Sequence, residues 1–333
     1  MSGLTNFSSF ISGWYAVLES SQLRKNKILA IERFGLKLAL WRNDQGQVQI
    51  FKDRCPHRGA QLSLGCIKNN RIQCPFHGYE FSEKGECEFS PEFNIAESAK
   101  NLLLKAEIFK SYEILDMIWI YIGPNNKNIE KFDCPEFDYP EFDYPELAEI
   151  HKNFRAYSQT EKIWDSHITY CIENQLDYTH LQFVHKNTIG RGYKIPKEPK
   201  IIKDSRSISI YFDQEIKPRI QFFFPNTWVL NISEKMNLVL YFSPINSNQT
   251  QLYLRTYREF LIYPEIKKLV DVVMNFMNQV ILKQDQKVVA SQGRGLSYQA
   301  QKDNLMFHDQ AIAAFRNHWK NNLISLQDSG LIQ

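Results

Sequence analysis

Two short stretches of this sequence, CPHRG at 55–59 and CPFHG at 74–78, each pair a cysteine with a histidine. Two thiolates and two imidazoles can bind one zinc ion, or hold the two irons of a [2Fe-2S] cluster unequally. Zinc sites usually pair like with like at short spacing, whereas each stretch here supplies one ligand of each kind. The pattern therefore favours a [2Fe-2S] cluster, with zinc as the alternative. The predicted ligands are Cys55, His57, Cys74 and His77.

A second group of candidate ligands lies in ENQLDYTHLQFVH at 173–185, where His180 and His185 are five residues apart. Two histidines that bind a metal from one face of a helix are usually four residues apart. Five residues turn about 140° around a regular helix, so the helix must end, kink or bulge between them. Two ordinary polar residues near a helix end are the alternative interpretation.

The elements that hold the first group are predicted to be strands. LKLALW (36–41) and VQIF (48–51) flank a polar turn and predict a hairpin, and DMIWIYIG (116–123) predicts another strand. No long helical period occurs between Trp14 and Ile122. The first part of the chain is therefore a small all-β domain.

The elements that hold the second group are mixed. Residues 163–184 have a helical pattern, and five strand-like runs follow between 207 and 260. From Pro264 the apolar residues recur at helical spacing, and a last helix is predicted over about 306–321. The fold class is therefore α+β, an all-β domain followed by an antiparallel sheet with long helices.

A Pro-Glu-Phe-Asp-Tyr repeat within 134–149 separates the two parts. Its prolines and acidic residues predict an extended connection between domains. We therefore predict a cluster domain over 1–125, a connector over 126–150 and a catalytic domain over 151–333.

The composition narrows the class of protein. The 333 residues carry a net charge of +3 and no run of five basic residues, which argues against nucleic acid as a partner. No stretch of about 20 apolar residues could span a membrane, and no basic region precedes an apolar one at the N-terminus. A soluble cytoplasmic protein is expected. The six cysteines then indicate metal binding or burial rather than disulfides.

The CPHRG and CPFHG loops resemble those of the catalytic (alpha) subunits of Rieske non-haem iron oxygenases. The second stretch resembles the same family's Asn-x-x-Asp-x-x-His-x-x-x-x-His pattern, and the layout resembles the branch that contains vanillate demethylase. One departure is Tyr79, where family members often have tryptophan. The residues that match the second pattern are Asn174, Asp177, His180 and His185.

The resemblance implies a mononuclear Fe(II) bound by two histidines and a carboxylate, with positions left open for O₂ as co-substrate. His180 and His185 would supply the imidazoles. Asp285 is the one acidic residue between Asp271 and Asp303, and it falls on an apolar stripe between Ile281 and Val288. An unpaired carboxylate there is costly unless it binds a metal. A helix salt bridge, for example to Arg294, is the alternative.

The resemblance also implies a role for Asp177. It stands three residues before His180 and could orient that histidine by accepting its second ring N–H. In the family this aspartate also bonds a cluster histidine of the neighbouring subunit, here His77 or His57, within a head-to-tail homotrimer. Asn174 would support the same segment.

Electrons must come from a separate NAD(P)H-dependent reductase or ferredoxin, because the sequence has no nucleotide-binding motif. Lys52, Arg54 and Arg58 could dock an acidic partner, although a solvated surface explains them equally well. The expected activity is hydroxylation or oxidative demethylation of a small aromatic or apolar molecule. The alternative is a non-catalytic Rieske electron carrier with an appended ligand-binding domain. Either a substrate pocket or a plain core would explain the apolar strand residues Phe222, Phe224, Trp228, Leu230 and Tyr241.

Overall fold

The computed structural model describes residues 9–91, 104–123, 144–154, 156–213, 215–299 and 303–323. The chain divides into two compact units, one built mainly from Trp14–Asp133 and the other from Cys134–Leu326. Most of the predicted connector, including Cys134, lies outside the described residues. The boundaries of the three predicted segments stay predictions.

The described part of the first unit consists of short antiparallel strands. They form three sheets, in the orders β2-β3-β4-β9, β5-β6-β7-β8 and β1-β11-β10. The strands are β1 (Gly13–Glu19), β2 (Leu29–Arg33), β3 (Leu36–Arg42), β4 (Val48–Lys52), β5 (Cys66–Lys68), β6 (Arg71–Gln73), β7 (Glu80–Phe81), β8 (Cys87–Phe89), β9 (Ile108–Phe109), β10 (Ser111–Ile114) and β11 (Met117–Ile122).

Turn chemistry sets the register of these strands. β3 and β4 form the predicted hairpin, closed by a Gly46 N–H bond of 2.9 Å to the Asn43 carbonyl. β5 and β6 are joined by Asn69 and Asn70, both at positive φ. Asparagine tolerates that conformation, and two such residues make the tight turn that matches strand twist. Each cysteine–histidine loop is thus held between well-registered strands.

The second unit contains one seven-stranded antiparallel sheet and five described helices. The strand order is β12-β18-β17-β16-β15-β14-β13. The elements are α1 (Pro145–Asn153), β12 (Ala156–Trp164), α2 (Ile168–Leu176), α3 (Leu181–Val184), β13 (Lys200–Lys203), β14 (Ser207–Tyr211), β15 (Ile220–Phe223), β16 (Thr227–Ser233), β17 (Met236–Asn246), β18 (Gln249–Arg258), α4 (Pro264–Gln292) and α5 (Gln310–Asn321). The predicted α+β class, all-β followed by a sheet with helices, is confirmed.

Helices α2, α4 and α5 contact one face of this sheet, called here the inner face. On the inner face, the Asn278 amide of α4 donates to Thr160, and the Trp228 indole donates to the carbonyl of Gln175 on α2 at 2.9 Å. Phe222 on this face packs against Phe315 of α5. The outer face carries the alternate residues of each strand.

The structure corrects the predicted helix over 163–184. β12 continues to Trp164, and the helical part is split into α2 and the one-turn α3. α2 ends at Leu176 and is followed by Asp177, whose backbone is extended. His180 and His185 are the residues directly before and after α3. The interruption therefore lies before His180, and the two histidines flank a single turn of helix.

The helix α4 also differs from its prediction. The 29-residue helix buries Asn278, Leu282, Asp285 and Val289 against the second unit. Val273, Met277 and Val288, which belong to the apolar residues that recur at helical spacing, are exposed. Apolar residues lie on both faces of this helix, so helical spacing alone could not show which face is buried. In the described parts of the chain, no helix is long and apolar enough to cross a membrane.

A buried ion pair ties α2 to α5. Glu173 on α2 accepts from the Nε and Nη2 atoms of Arg316 at 2.9 and 2.8 Å, and also bonds Ser297. Burial raises the pKa of Glu173, and the guanidinium opposes that shift. α2 leads directly into residues 177–185, called here the histidine segment. The ion pair therefore helps to hold that segment in place.

Replacing Arg316 with methionine is expected to destabilise the second unit by about 3–5 kcal/mol, because it leaves the buried carboxylate of Glu173 uncompensated. Urea unfolding monitored by tryptophan fluorescence measures the loss. The double variant Glu173→Gln/Arg316→Met should recover most of it, since it buries no unpaired charge. A single variant no less stable than the double one would contradict this role.

Candidate active site

The two cysteine–histidine loops have the same backbone design. In each, the cysteine N–H donates to the carbonyl five residues on, at 2.7 Å from Cys55 and 2.8 Å from Cys74. The glycine N–H returns to the cysteine carbonyl, at 2.9 Å from Gly59 and 3.1 Å from Gly78. Both glycines adopt φ values, +77° and +72°, that favour glycine. The two loops are therefore tight turns of the same kind.

The four predicted cluster ligands converge between these loops. Cys55 and Cys74 lie in the core cluster of the first unit. The rings of His57 and His77 are 4.7 Å apart, and the buried Nδ1 of His57 has no hydrogen-bond partner. Burial raises the pKa of Cys55 to about 11, although the backbone N–H of His57 donates to its sulfur. A sulfur that receives an N–H and an imidazole nitrogen without a partner both fit a bound metal cluster.

The surface beside these loops is partly apolar. Phe76 is exposed, and its ring lies 4.0 Å from that of His77 and under the guanidinium of Arg58. Of the other basic residues predicted to dock a partner, Lys52 is paired with Glu107 at 2.7 Å. Arg54 packs over Gly59. Arg58 with Phe76 is therefore the better-placed contact for a partner.

The three predicted iron ligands come together in the second unit. Ligand atoms of His180, His185 and Asp285 all lie within 4.8 Å of one another. Oδ1 of Asp285 is 2.9 Å from Nε2 of His185 and 3.5 Å from Nε2 of His180. This oxygen is buried, yet none of these contacts has hydrogen-bond geometry. Two imidazoles and a carboxylate aimed at one point are the donor set of a non-haem Fe(II) centre.

The electrostatics of these residues follow from burial and mutual contact. Burial favours the neutral carboxyl, but His180 and His185 outweigh it and lower the pKa of Asp285. Burial likewise opposes the charge on His180, but Asp177 and Asp285 raise its pKa to about 9. A bound metal would take the place of that proton, because ligating imidazole must be neutral. The carboxylate is thus kept ionised and available for a metal.

His185 is oriented by Gln284. The Nδ1 atom of His185 lies 2.8 Å from the Gln284 side-chain oxygen, which also accepts from the Thr188 hydroxyl at 3.0 Å. An amide oxygen accepts only, so Nδ1 carries a proton, and Nε2 is the ring nitrogen that faces Asp285. In the sequence Gln284 is simply the residue before Asp285, and its spacing from His185 does not indicate this hydrogen bond.

Asp177 lies at the turn before His180. Its Oδ1 accepts from the backbone N–H and the hydroxyl of Thr179, both at 2.7 Å, and from the His180 N–H at 3.3 Å. Its Oδ2 is 3.7 Å from Nδ1 of His180, longer than a direct hydrogen bond. One oxygen therefore shapes the turn, while the other faces the histidine. Asn174, one turn earlier, has a buried Nδ2 without a hydrogen-bond partner.

Gly190 is a further residue on which the histidine segment depends. Its N–H donates to the His185 carbonyl at 3.0 Å, and a side chain there would lie 1.9 Å from the Leu181 carbonyl oxygen. Only glycine allows this close approach to α3. The segment Gly-Arg-Gly at 190–192 therefore packs against α3 through its first residue.

The predicted pocket residues do not lie on one surface. Phe222 and Trp228 are cross-strand neighbours on the inner face, and Phe224 stacks on His318 beside α5. Tyr241 is paired with Thr227 and Tyr253 in the adjacent row, so its side chain lies on the outer face. Tyr241 therefore cannot line a pocket with the others.

Replacing Gln284 with leucine is expected to weaken Fe(II) binding by roughly 10–100-fold, because His185 loses the acceptor that fixes its ring and tautomer. Fe(II) titration of the metal-free protein measures the change. Gln286→Leu, on the same helix but bonded to the Ile163 carbonyl, is the matched control and should bind normally. Equal affinity in the two variants would contradict the role of Gln284.

Two family models match separate parts of the chain. A Rieske [2Fe-2S] domain matches residues 13–100, and a vanillate O-demethylase oxygenase C-terminal domain matches residues 164–222. The first match contains all four cysteine–histidine loop ligands. The second contains His180 and His185, and Asp285 lies beyond it.

Individual proteins are similar over larger parts of the chain. Cholesterol 7-desaturase of Caenorhabditis elegans is 32% identical over 231 residues, which are 68% of this chain and 48% of that protein. Methylxanthine N1-demethylase NdmA of Pseudomonas putida is 28% identical over 183 residues, covering 53% and 47%. The chain spans between one third and one half of the length of the first curated relatives it matches.

A solved structure shows the same fold along nearly the whole chain. Dicamba monooxygenase bound to dicamba superposes with a TM-score of 0.68 at 20% identity, covering 93% of this chain and 96% of that one. At this identity the likeness establishes the fold, including the order of an all-β unit followed by a helix-covered sheet.

Proposed function

We propose that this chain, a Rieske [2Fe-2S] domain followed by an oxygenase C-terminal domain of the vanillate O-demethylase type, is the catalytic subunit of a Rieske non-haem iron oxygenase. The two domain matches confirm the predicted resemblance to that family. The proposed reaction uses O₂ and externally supplied electrons to hydroxylate or oxidatively demethylate a small aromatic or apolar molecule.

The observation that carries the proposal is the convergence of His180, His185 and Asp285. A Rieske electron carrier needs only its cluster ligands, and a ligand-binding domain has no use for a buried carboxylate aimed at two imidazole nitrogens. At 2% exposure the ionised Asp285 needs a compensating positive charge, which the two histidines supply in the metal-free protein and a metal ion would supply once they are neutral. The triad therefore favours the oxygenase over the carrier.

Each of the seven predicted ligand residues has a defined part in this proposal. Cys55, Cys74, His57 and His77 hold the [2Fe-2S] cluster, and the triad holds Fe(II). When bound, the two centres supply single-electron transfer and O₂ activation, respectively.

The residues around the iron ligands prepare that site. Gln284 keeps the proton of His185 on Nδ1, so that Nε2 is free to bind metal. Asp177 shapes the turn that places His180, and its second oxygen remains available for a further partner. Burial of the triad keeps bulk water away from the metal face.

The inner face of the sheet is the proposed substrate surface. The Trp228 indole donates to the carbonyl of Gln175 near the end of α2, and Gln175 lies two residues before Asp177. Leu230 and Leu238 are directly paired in the next inner-face row, and both are only partly buried although this face is covered by helices. Apolar side chains that are incompletely buried at such a place suit an apolar ligand. The matched relatives named for cholesterol and methylxanthine also act on ring compounds.

The proposed partners are a separate reductase or ferredoxin and further copies of the chain. Arg58 and Phe76, one from each cluster loop, are the proposed contact for the electron donor. In a head-to-tail homotrimer, Oδ2 of Asp177 would bond His77 or His57 of the neighbouring copy, as the resemblance implies. A cytoplasmic location stays a prediction.

An iron and acid-labile sulfide count on anaerobically purified protein tests the proposal. The oxygenase requires three irons and two sulfides per chain, whereas the carrier requires two of each. Product screening with a surrogate reductase, ¹⁸O₂ and a panel of aromatic methyl ethers and sterols then identifies the substrate. A full cluster with no third iron, even after Fe(II) is added, would overturn the oxygenase in favour of the carrier.

A further inference from the structure

The solvent-facing side of α4 carries an apolar surface that neither metal centre uses. Exposed fractions are 66% for Leu269, 49% for Val273 and 70% for Phe276. Val272 and Met277 beside them are 66% and 50% exposed. Single exposed apolar residues are ordinary, but five on two adjoining turns form a continuous patch that marks an interaction site.

The spacing of this patch is that of a helix–helix seam. Its residues alternate at intervals of three and four, the a and d positions of a heptad repeat, which pack against another helix. The same interval then continues with lysines in place of apolar residues. The apolar positions are Ile266, Leu269, Val273, Phe276 and Val280, and the lysines that continue the interval are Lys283 and Lys287. We call these seven positions the α4 seam.

The charges at the two ends of the α4 seam indicate which helix fits it. If two copies of α4 ran parallel, Lys283 and Lys287 would meet their own counterparts, which is unfavourable. If they ran antiparallel about Val273, Lys283 would lie opposite Tyr263 of the second copy and close to its Glu265. Glu265 is exposed in the first turn of α4. The antiparallel pair therefore brings opposite charges together at both ends.

We propose that the α4 seam is a two-fold interface with a second copy of this chain, in which the two α4 helices pack antiparallel about Val273. A two-fold contact uses the same patch on both copies, and the seam is complementary to itself in this way. It differs in kind from the proposed head-to-tail ring at Asp177, where two unlike surfaces meet. Both contacts together would give assemblies with an even number of copies.

Cysteine cross-linking tests the geometry directly. At a two-fold axis a residue meets its own counterpart, whereas across a head-to-tail contact two unlike surfaces meet. In a Cys66→Ser/Cys134→Ser background, Val273→Cys should form a disulfide-linked pair of chains on mild oxidation. Asn275→Cys, which is exposed on α4 but off the seam, is the matched control and should stay single. Equal cross-linking of the two variants would overturn the proposal.

A charge exchange tests the antiparallel register without altering the apolar residues. Lys283→Glu should weaken self-association several-fold, and Lys283→Glu/Glu265→Lys should restore it. The two positions lie eighteen residues apart on one helix, about 27 Å, so only a contact between copies explains such a rescue. Light scattering over a concentration series measures association. An unchanged mass in the single variant would overturn the proposal.

A membrane surface is the competing occupant, and vesicle binding distinguishes it. The proposal expects the protein to stay in the supernatant with anionic phospholipid vesicles and to have an even-numbered mass. Co-sedimentation that is abolished by Phe276→Glu, with a mass unaffected by Lys283→Glu, would assign the seam to lipid and overturn the two-fold contact. None of these readouts depends on turnover, so their outcome is separate from that of the proposed function.

Discussion

Replacing Asp285 with alanine is expected to lower the iron content from three to two per chain, leave two sulfides, and abolish turnover. In the proposed iron site the carboxylate supplies one of three ligands, and its oxygen is 2.9 Å from Nε2 of His185. Two imidazoles alone bind Fe(II) far more weakly than the full triad. Inductively coupled plasma iron analysis with a sulfide assay measures the change.

The cluster serves as the internal control for Asp285→Ala. The EPR signal of the reduced [2Fe-2S] centre should be unchanged, because Cys55, His57, Cys74 and His77 belong to the other unit. Glu265→Ala, an exposed carboxylate on the same helix, should keep all three irons. A variant that retains its third iron would show that Asp285 is a structural carboxylate and would remove the main support for the oxygenase.

Replacing Asp177 with asparagine is expected to leave both metal centres filled while lowering turnover by on the order of 100-fold. The amide oxygen of asparagine can still accept the Thr179 bonds that shape the turn, at 2.7 Å in the parent chain. It cannot supply the negative charge that faces His180 and that the proposed bridge to a neighbouring cluster histidine requires. Steady-state rate, iron content and single-turnover yield are the measurements.

Comparison with Asp177→Ala separates the two roles of this side chain. Alanine removes the turn bonds as well, so it should also weaken iron binding through a misplaced His180. Asparagine should lose only electron delivery, with the reduced cluster persisting in the presence of substrate and O₂. Normal single-turnover product from the asparagine variant would exclude the bridging role and leave Asp177 as a residue that only positions His180.

The predictions that matched the structure best were those based on local backbone geometry. Each ligand loop of the sequence ends in a glycine, Gly59 or Gly78, and both adopt the positive φ that a tight turn requires. The hairpin of β3 and β4 and the five strands β14 to β18 followed from turn residues and alternating apolar runs. These features depend on neighbours within a few residues, which a sequence displays directly.

The predictions that failed depended on which side of an element is buried. Tyr241 was grouped with Trp228, yet alternate residues of a strand lie on opposite faces, and pairing with Thr227 places Tyr241 on the other face of the sheet, where it is buried. On α4, Val273 and Met277 follow the predicted helical spacing of apolar residues, yet both are exposed. Apolar residues cover nearly the whole circumference of this helix, so its period did not identify the core face.

The sequence by itself determined the types of ligand, the pairing of one cysteine with one histidine in each loop, and the odd five-residue step between His180 and His185. Only the tertiary structure decided that Asp285 reaches that pair from about a hundred residues away and that Gln284 fixes the tautomer of His185. The physical reason is that ligand chemistry belongs to single residues. Convergence depends instead on how α2, α3 and α4 pack on one face of a sheet, and packing is a property of the whole unit.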